Sequence, residues 1–133
     1  MPDRKSIDLD TLSFLVIEDD AFARSLAVGL LRKMGTEKVD VAENGVAALD
    51  YLARGDAPPD VLLVDLGMPD MGGVEMMRLL AESTYEGGII LVSGAEEETL
   101  IIAQELAKSR GLNVLGLITK PLTEAALMEA LST

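Results

Sequence analysis

Val61-Leu62-Leu63-Val64-Asp65-Leu66-Gly67-Met68-Pro69-Asp70-Met71-Gly72-Gly73 decides how this chain folds. Four apolar residues run straight into one carboxylate, and a Met-Pro and a Gly-Gly follow at once. Such a run reads as a strand buried on both faces, ended by its Gly/Pro cluster. Asp65 therefore stands where a buried strand emerges. In open α/β sheets that is the edge on which sites are built. A carboxylate held there can bind a cation or act as a nucleophile.

Outward from this stretch, strand and helix signals alternate. Leu12 to Ile17 is an apolar run ending in Glu18-Asp19-Asp20. From Ala21 to Met34 apolar residues recur at helical spacing, and Gly35 follows as a stop. Lys38 to Ala42 reads as a short alternating strand. Asn44 then opens a helix through Val46, Leu49 and Leu52 that ends near Gly55. Beyond Pro58-Pro59 come the strand at Val61 to Val64 and a helix from Gly73 to Glu82. A fourth strand, Ile89 to Val92, ends at Ser93-Gly94. The helix after it runs from Glu96 to Arg110, with Glu96, Glu97 and Glu98 at the positive end of its dipole and Lys108 and Arg110 at the other. Val114 to Ile118 is the fifth strand and ends at Thr119-Lys120-Pro121; Thr123 caps a last helix, Glu124 to Leu131. Strict alternation with short links means a parallel sheet with helices on both faces. Right-handed crossovers then put every strand's C-terminal end on one edge.

Composition narrows the chemistry. At 133 residues the chain suits one domain. It is 49% hydrophobic but only 3% aromatic, so its core must be aliphatic. There is no Cys, which removes disulfides and thiolate metal sites. There is no His, which removes the usual general base, the usual transition-metal ligand and any phosphohistidine of its own. A net charge of −12 argues against direct binding of nucleic acid and favours divalent cations or a basic partner. No apolar run approaches the roughly 18–20 residues of a membrane span, and Met1 to Asp10 lacks a signal-peptide core. The expectation is a soluble, cytoplasmic protein, either complete in itself or a domain of a longer chain.

The polar residues at the strand ends now stand together: Glu18, Asp19 and Asp20 after the first, Asp65 after the third, Ser93 after the fourth, Lys120 after the fifth. Singly, each is commonly a turn former, a helix cap or a solvated charge. Together, on one edge, they are complementary in kind. Three close carboxylates repel unless a cation lies between them, and oxygen ligands without His or Cys select a hard ion, Mg²⁺. Lys120 supplies a positive charge for a phosphoryl oxygen and Ser93 a hydroxyl for another. Asp65 is left as the nucleophile of an in-line phosphoryl transfer.

The chain resembles the receiver domain of bacterial two-component response regulators over about residues 12 to 131. The resemblance rests on Phe14-Leu15-Val16-Ile17-Glu18-Asp19-Asp20, Asp65-Leu66-Gly67-Met68-Pro69, Val92-Ser93-Gly94 and Lys120-Pro121. It implies a flavodoxin-like, doubly wound five-stranded parallel sheet in the order 2-1-3-4-5 with five helices. It divides the chain into an N-terminal extension over 1–11 and a receiver domain over 12–133. Asp65 matches the phosphoacceptor. Glu18 and Asp19 match the acidic pair that holds Mg²⁺, with Asp19 the direct ligand and Glu18 acting mainly through water. The backbone carbonyl of Gly67 matches a third protein ligand, Ser93 the switch hydroxyl and Lys120 the phosphate-pairing lysine. The Lys120-Pro121 bond is expected to be cis.

Two positions depart from the common pattern. Glu18 stands where the family often has Asp. Leu117, three residues before the lysine, stands where many receivers carry the aromatic ring of the switch. Lacking His, the chain would take its phosphoryl group from a sensor histidine kinase, a histidine phosphotransfer protein or a small acyl phosphate. The expectation is a regulatory phosphoacceptor rather than an enzyme. Its rivals are a pseudo-receiver that is never phosphorylated and an aspartyl-phosphate phosphohydrolase. The latter usually needs a second Asp two residues after the nucleophile, where this chain has Gly67. For output, Gly111 to Gly116 looks like receivers fused to cyclic-di-GMP phosphodiesterase domains. Leu100, Ile101 and Ile102 in a row suggest a partner or homodimer face.

Overall fold

In a computed structural model that describes residues 9–54, 57–68, 72–94 and 97–132, five strands form one parallel sheet. They are β1 (Ser13–Ile17), β2 (Lys38–Ala42), β3 (Val61–Asp65), β4 (Gly88–Ser93) and β5 (Asn113–Thr119), in the spatial order β2-β1-β3-β4-β5. Five helices connect or follow them: α1 (Ala21–Lys33), α2 (Gly45–Ala53), α3 (Gly73–Glu82), α4 (Glu97–Ser109) and α5 (Glu124–Leu131). This is the flavodoxin-like order expected from the sequence. Several residues read above lie outside the described set: 1–8 of the N-terminal extension, Gly55, Pro69, Asp70, Met71 and Glu96, with the side chains of Glu97 and Glu98.

The apolar run at β3 behaves as a doubly buried strand because helices cover both faces. Its side chains alternate. Leu62 and Val64 join Leu15, Ile17, Ile89 and Leu91 in one cluster, under Met76 and Leu80 of α3 and Ala103 and Ala107 of α4. Val61 and Leu63 join Phe14, Val16, Ile90 and Val92 in the other, under Ala27 and Leu31 of α1 and Leu127 and Ala130 of α5. Leu9, in a short 3₁₀ turn at Leu9–Thr11, is buried in the second cluster, so the core includes a residue on the N-terminal side of the boundary expected at residue 12.

Short polar side chains begin three of the helices. Asp20 caps α1 by accepting from the Ala23 N–H at 2.8 Å. Asn44 caps α2 through Ala47 at 2.7 Å, and Thr123 caps α5 through Ala126 at 3.1 Å. After α4, Gly111 adopts a φ of +82°, a conformation L side chains rarely take, and so turns the chain into β5. A register irregularity between β4 and β5 follows at Ile89/Ile90.

Gly116 lets α5 lie close on β5. A Cβ there would stand 2.8 Å from the Ala130 Cβ and 3.3 Å from its Cα, too near for either backbone to stay in place. Gly116→Ala should therefore destabilise the domain by about 1–3 kcal/mol, the usual cost of overpacking. Urea unfolding measures this, and an alanine variant as stable as wild type would show that α5 shifts freely.

Candidate phosphoacceptor and metal site

The strand order places the ends of β1, β3, β4 and β5 side by side on the C-terminal edge of the sheet. Asp65, the last residue of β3, pairs with Val92, and Ser93, the last of β4, pairs with Thr119 one step before Lys120. The Lys120 N–H donates to the Ser93 carbonyl at 2.8 Å, fixing the lysine beside β4. The Lys120-Pro121 bond is cis. Asp65, Glu18 and Ser93 are buried, and Asp19 is exposed.

These elements bring the expected charges together. The Lys120 Nζ lies 3.4 Å from the Glu18 Oε1 and 3.5 Å from the Asp65 Oδ1. Glu18, Asp19 and Asp65 each offer a carboxylate oxygen within 4.8 Å of the others. The other Glu18 oxygen, Oε2, accepts from the Asp20 N–H at 3.2 Å. Asp65 Oδ1 also accepts from the Gly67 N–H at 3.0 Å. The sequence carries no signal for this bond, since the resemblance implies only a carbonyl ligand at Gly67. The three-acid run after β1 divides: Glu18 and Asp19 face the site, while Asp20 caps α1.

Burial, reinforced by the hydrogen bond to Asp65, pushes the Glu18 carboxyl up from 4.5 to about 7. The Asp20 N–H and the Lys120 ammonium only partly offset this. Burial of the Lys120 ammonium works against its charge, but the neighbouring Asp65 and Glu18 carboxylates outweigh it and hold its pKa above 10.5. With all three carboxylates ionised, the one ammonium leaves two formal negative charges at the cluster. A divalent, oxygen-preferring cation fits that balance, and these residues suit Mg²⁺.

The raised Glu18 pKa has a consequence for stability. The folded, metal-free protein binds a proton at Glu18 more tightly than the unfolded chain. Its contribution is therefore present in full below the unfolded value of 4.5 and lost as pH rises through about 7. Glu75, lowered by its hydrogen bonds to Arg78, matters only below this window, and Lys120 only above it. In EDTA, stability should fall by on the order of 1–3 kcal/mol between about pH 5 and pH 8, and Glu18→Gln should flatten the curve. A wild-type curve already flat in urea unfolding would refute the Glu18 environment.

Comparison with known proteins gives a consistent outcome. Residues 14–132 match the family model described as the response regulator receiver domain. A protein-glutamate methylesterase/protein-glutamine glutaminase of Myxococcus xanthus is 41% identical over 86 residues, 64% of this chain but only 24% of that protein, so the chain spans about a quarter of that relative's length. The chemotaxis protein CheY of Bacillus subtilis is 27% identical over 118 residues, covering 89% of this chain and 92% of CheY. A response regulator from Colwellia psychrerythraea superimposes with a TM-score of 0.75 at 30% identity, over 94% of this chain and 95% of that one.

Proposed function

The chain belongs to the response regulator receiver domain family, and on that premise we propose that it is a phosphorylation switch with Asp65 as phosphoacceptor. The observation that carries this reading is the cluster itself: a buried carboxylate at the end of β3, two further acids and one lysine within reach. The phosphoryl group comes from the phosphohistidine of a sensor kinase or phosphotransfer protein. The exposed Phe22 and Leu26 on α1 support a partner surface. Beside Leu26 a cavity of about 440 Å³ leads to Glu18, Asp65 and Lys120.

Asp65 Oδ1 is held by the Gly67 N–H and faces Lys120, so attack on phosphorus falls to the other oxygen. The new bond from carboxylate to phosphorus forms as the bond from phosphorus to the donor breaks, and the donor leaves with its electron pair. Glu18, Asp19, Asp65 and the Gly67 carbonyl would hold Mg²⁺, which neutralises phosphoryl charge when bound. Lys120 neutralises a further phosphoryl oxygen, and Ser93 donates to another as the switch hydroxyl. Phosphorylation adds roughly −1.5 to −2 charge beside Lys120, which biases the loop from Ser93 into α4.

One observation favours a second reading. Leu117, half-buried on β5, packs with the cluster under α3 and α4 and offers no amphipathic ring for the switch. A pseudo-receiver that acts as an unphosphorylated interaction module is compatible with that. Output runs through a fused domain, such as a cyclic-di-GMP phosphodiesterase, or through docking or dimerisation. Ile101 and Ile102, each 54% exposed on α4, provide apolar surface for it. Incubation with Mg²⁺ and acetyl phosphate or beryllofluoride separates the two readings. One phosphoryl group, or one BeF₃⁻ adduct, is the expected result; no uptake would overturn the switch and leave the pseudo-receiver.

A further inference from the structure

The geometry points to Arg24, on the first turns of α1, as a positioning residue for the acidic pair; this rests on the Mg²⁺ reading of the site. Glu18 and Asp19 lie in a link of only three residues between β1 and α1. Each end of that link is fixed. The Glu18 N–H donates to the Ala42 carbonyl of β2 at 3.1 Å, and Asp20 caps the helix. The carbonyl of Glu18 is the group in between, and Arg24 Nη1 donates to it at 3.0 Å. The Arg24 backbone N–H simultaneously donates to the Asp20 carbonyl at 2.8 Å. One residue thus grips the link at two carbonyls, on either side of Asp19. A charge-assisted bond to a carbonyl is stronger than a neutral one. Here it sets the backbone from which both carboxylates project.

Long-range electrostatics and positioning predict opposite signs for the loss of this side chain. Removing a positive charge from beside a cation site should tighten Mg²⁺ binding. Releasing the Glu18 carbonyl should loosen it, because the acids no longer start from one geometry. The assignment requires that loosening wins.

Isothermal titration of Mg²⁺ tests it. Arg24→Ala should raise the dissociation constant roughly tenfold, the lower end of what outer partners of metal ligands contribute. At saturating Mg²⁺ its phosphorylation by acetyl phosphate should return to about the wild-type rate, since Arg24 touches no reacting atom. Arg24→Lys, which retains charge and a donor, should restore part of the affinity and guards against a folding defect in the alanine variant. Ser25→Ala, exposed on the same helix, should bind Mg²⁺ as wild type does. An Arg24→Ala protein with unchanged or tighter binding overturns the assignment, as does an equal loss in Ser25→Ala. A wild-type protein that binds no Mg²⁺ would bring down the metal reading itself, and Arg24's role with it.

Discussion

Asp65→Asn should reduce uptake of a phosphoryl group from acetyl phosphate, and formation of a BeF₃⁻ adduct, to background. The amide is nearly the same shape but carries no negative charge, so the step that forms the oxygen–phosphorus bond loses its nucleophile. A loss of at least about 10²-fold is expected, because the carboxylate placed for the in-line attack is gone. There is no His or Cys in the chain to divert the label, and Glu18 is engaged at both oxygens, by Lys120 and by the Asp20 N–H. The variant should fold. Asparagine can still accept from the Gly67 N–H, and one of three crowded carboxylates is gone. Asp65 also helps hold the Glu18 pKa up, so the variant should lose part of the pH dependence of metal-free stability. Mass spectrometry of intact protein and of its peptides reads the result. Labelling at the wild-type level would remove Asp65 as the phosphoacceptor.

The alternation of strand and helix was legible because burial leaves strong marks. A continuous apolar run such as Val61 to Val64 can be satisfied only between two helical layers, and the layers are there. Asp65, Lys120 and Ser93 were legible for a simple reason: parallel strands deliver their ends to one edge whatever their side chains do in detail. What could not be read was local satisfaction of backbone groups. Composition and spacing alone do not distinguish Asp20, which caps a helix, from Asp19, which faces the site; only the resemblance to receivers singled out Glu18 and Asp19. Arg24 carried a weak signal, a lone cation one turn beyond an acidic run, yet its bond to the Glu18 carbonyl depends on the turn that joins β1 to α1. The stretch Gly111 to Gly116 as a whole suggests an output domain by likeness. In the fold, Gly111 supplies a positive φ and Gly116 a close approach of α5. Both needs arise inside the domain, so each of these glycines has a structural reason of its own.

Asp19→Ala should abolish measurable Mg²⁺ binding while the fold stays intact. The two acids differ in which has an oxygen to spare. Glu18 Oε1 faces Lys120 at 3.4 Å and its Oε2 accepts from the Asp20 N–H at 3.2 Å. A metal taking Glu18 directly would have to displace one of these partners, whereas Asp19 is exposed at the rim of the same cluster. On the proposed Mg²⁺ reading, Asp19 would therefore be the direct ligand and Glu18 the one reached through water. Loss of an outer partner costs about 10–100-fold in affinity, and loss of a direct carboxylate should exceed that. Glu18→Gln should weaken binding less, within that range, because the amide keeps its acceptor for Asp20. Stability should separate the two in the other direction. Replacing an exposed side chain usually changes stability by about 0.5 kcal/mol or less. The buried Glu18 is tied to two elements and is the more sensitive. Calorimetric titration with Mg²⁺ and urea unfolding without it give both orders. If Asp19→Ala bound Mg²⁺ as tightly as wild type while Glu18→Gln did not, the roles of the two acids would be reversed.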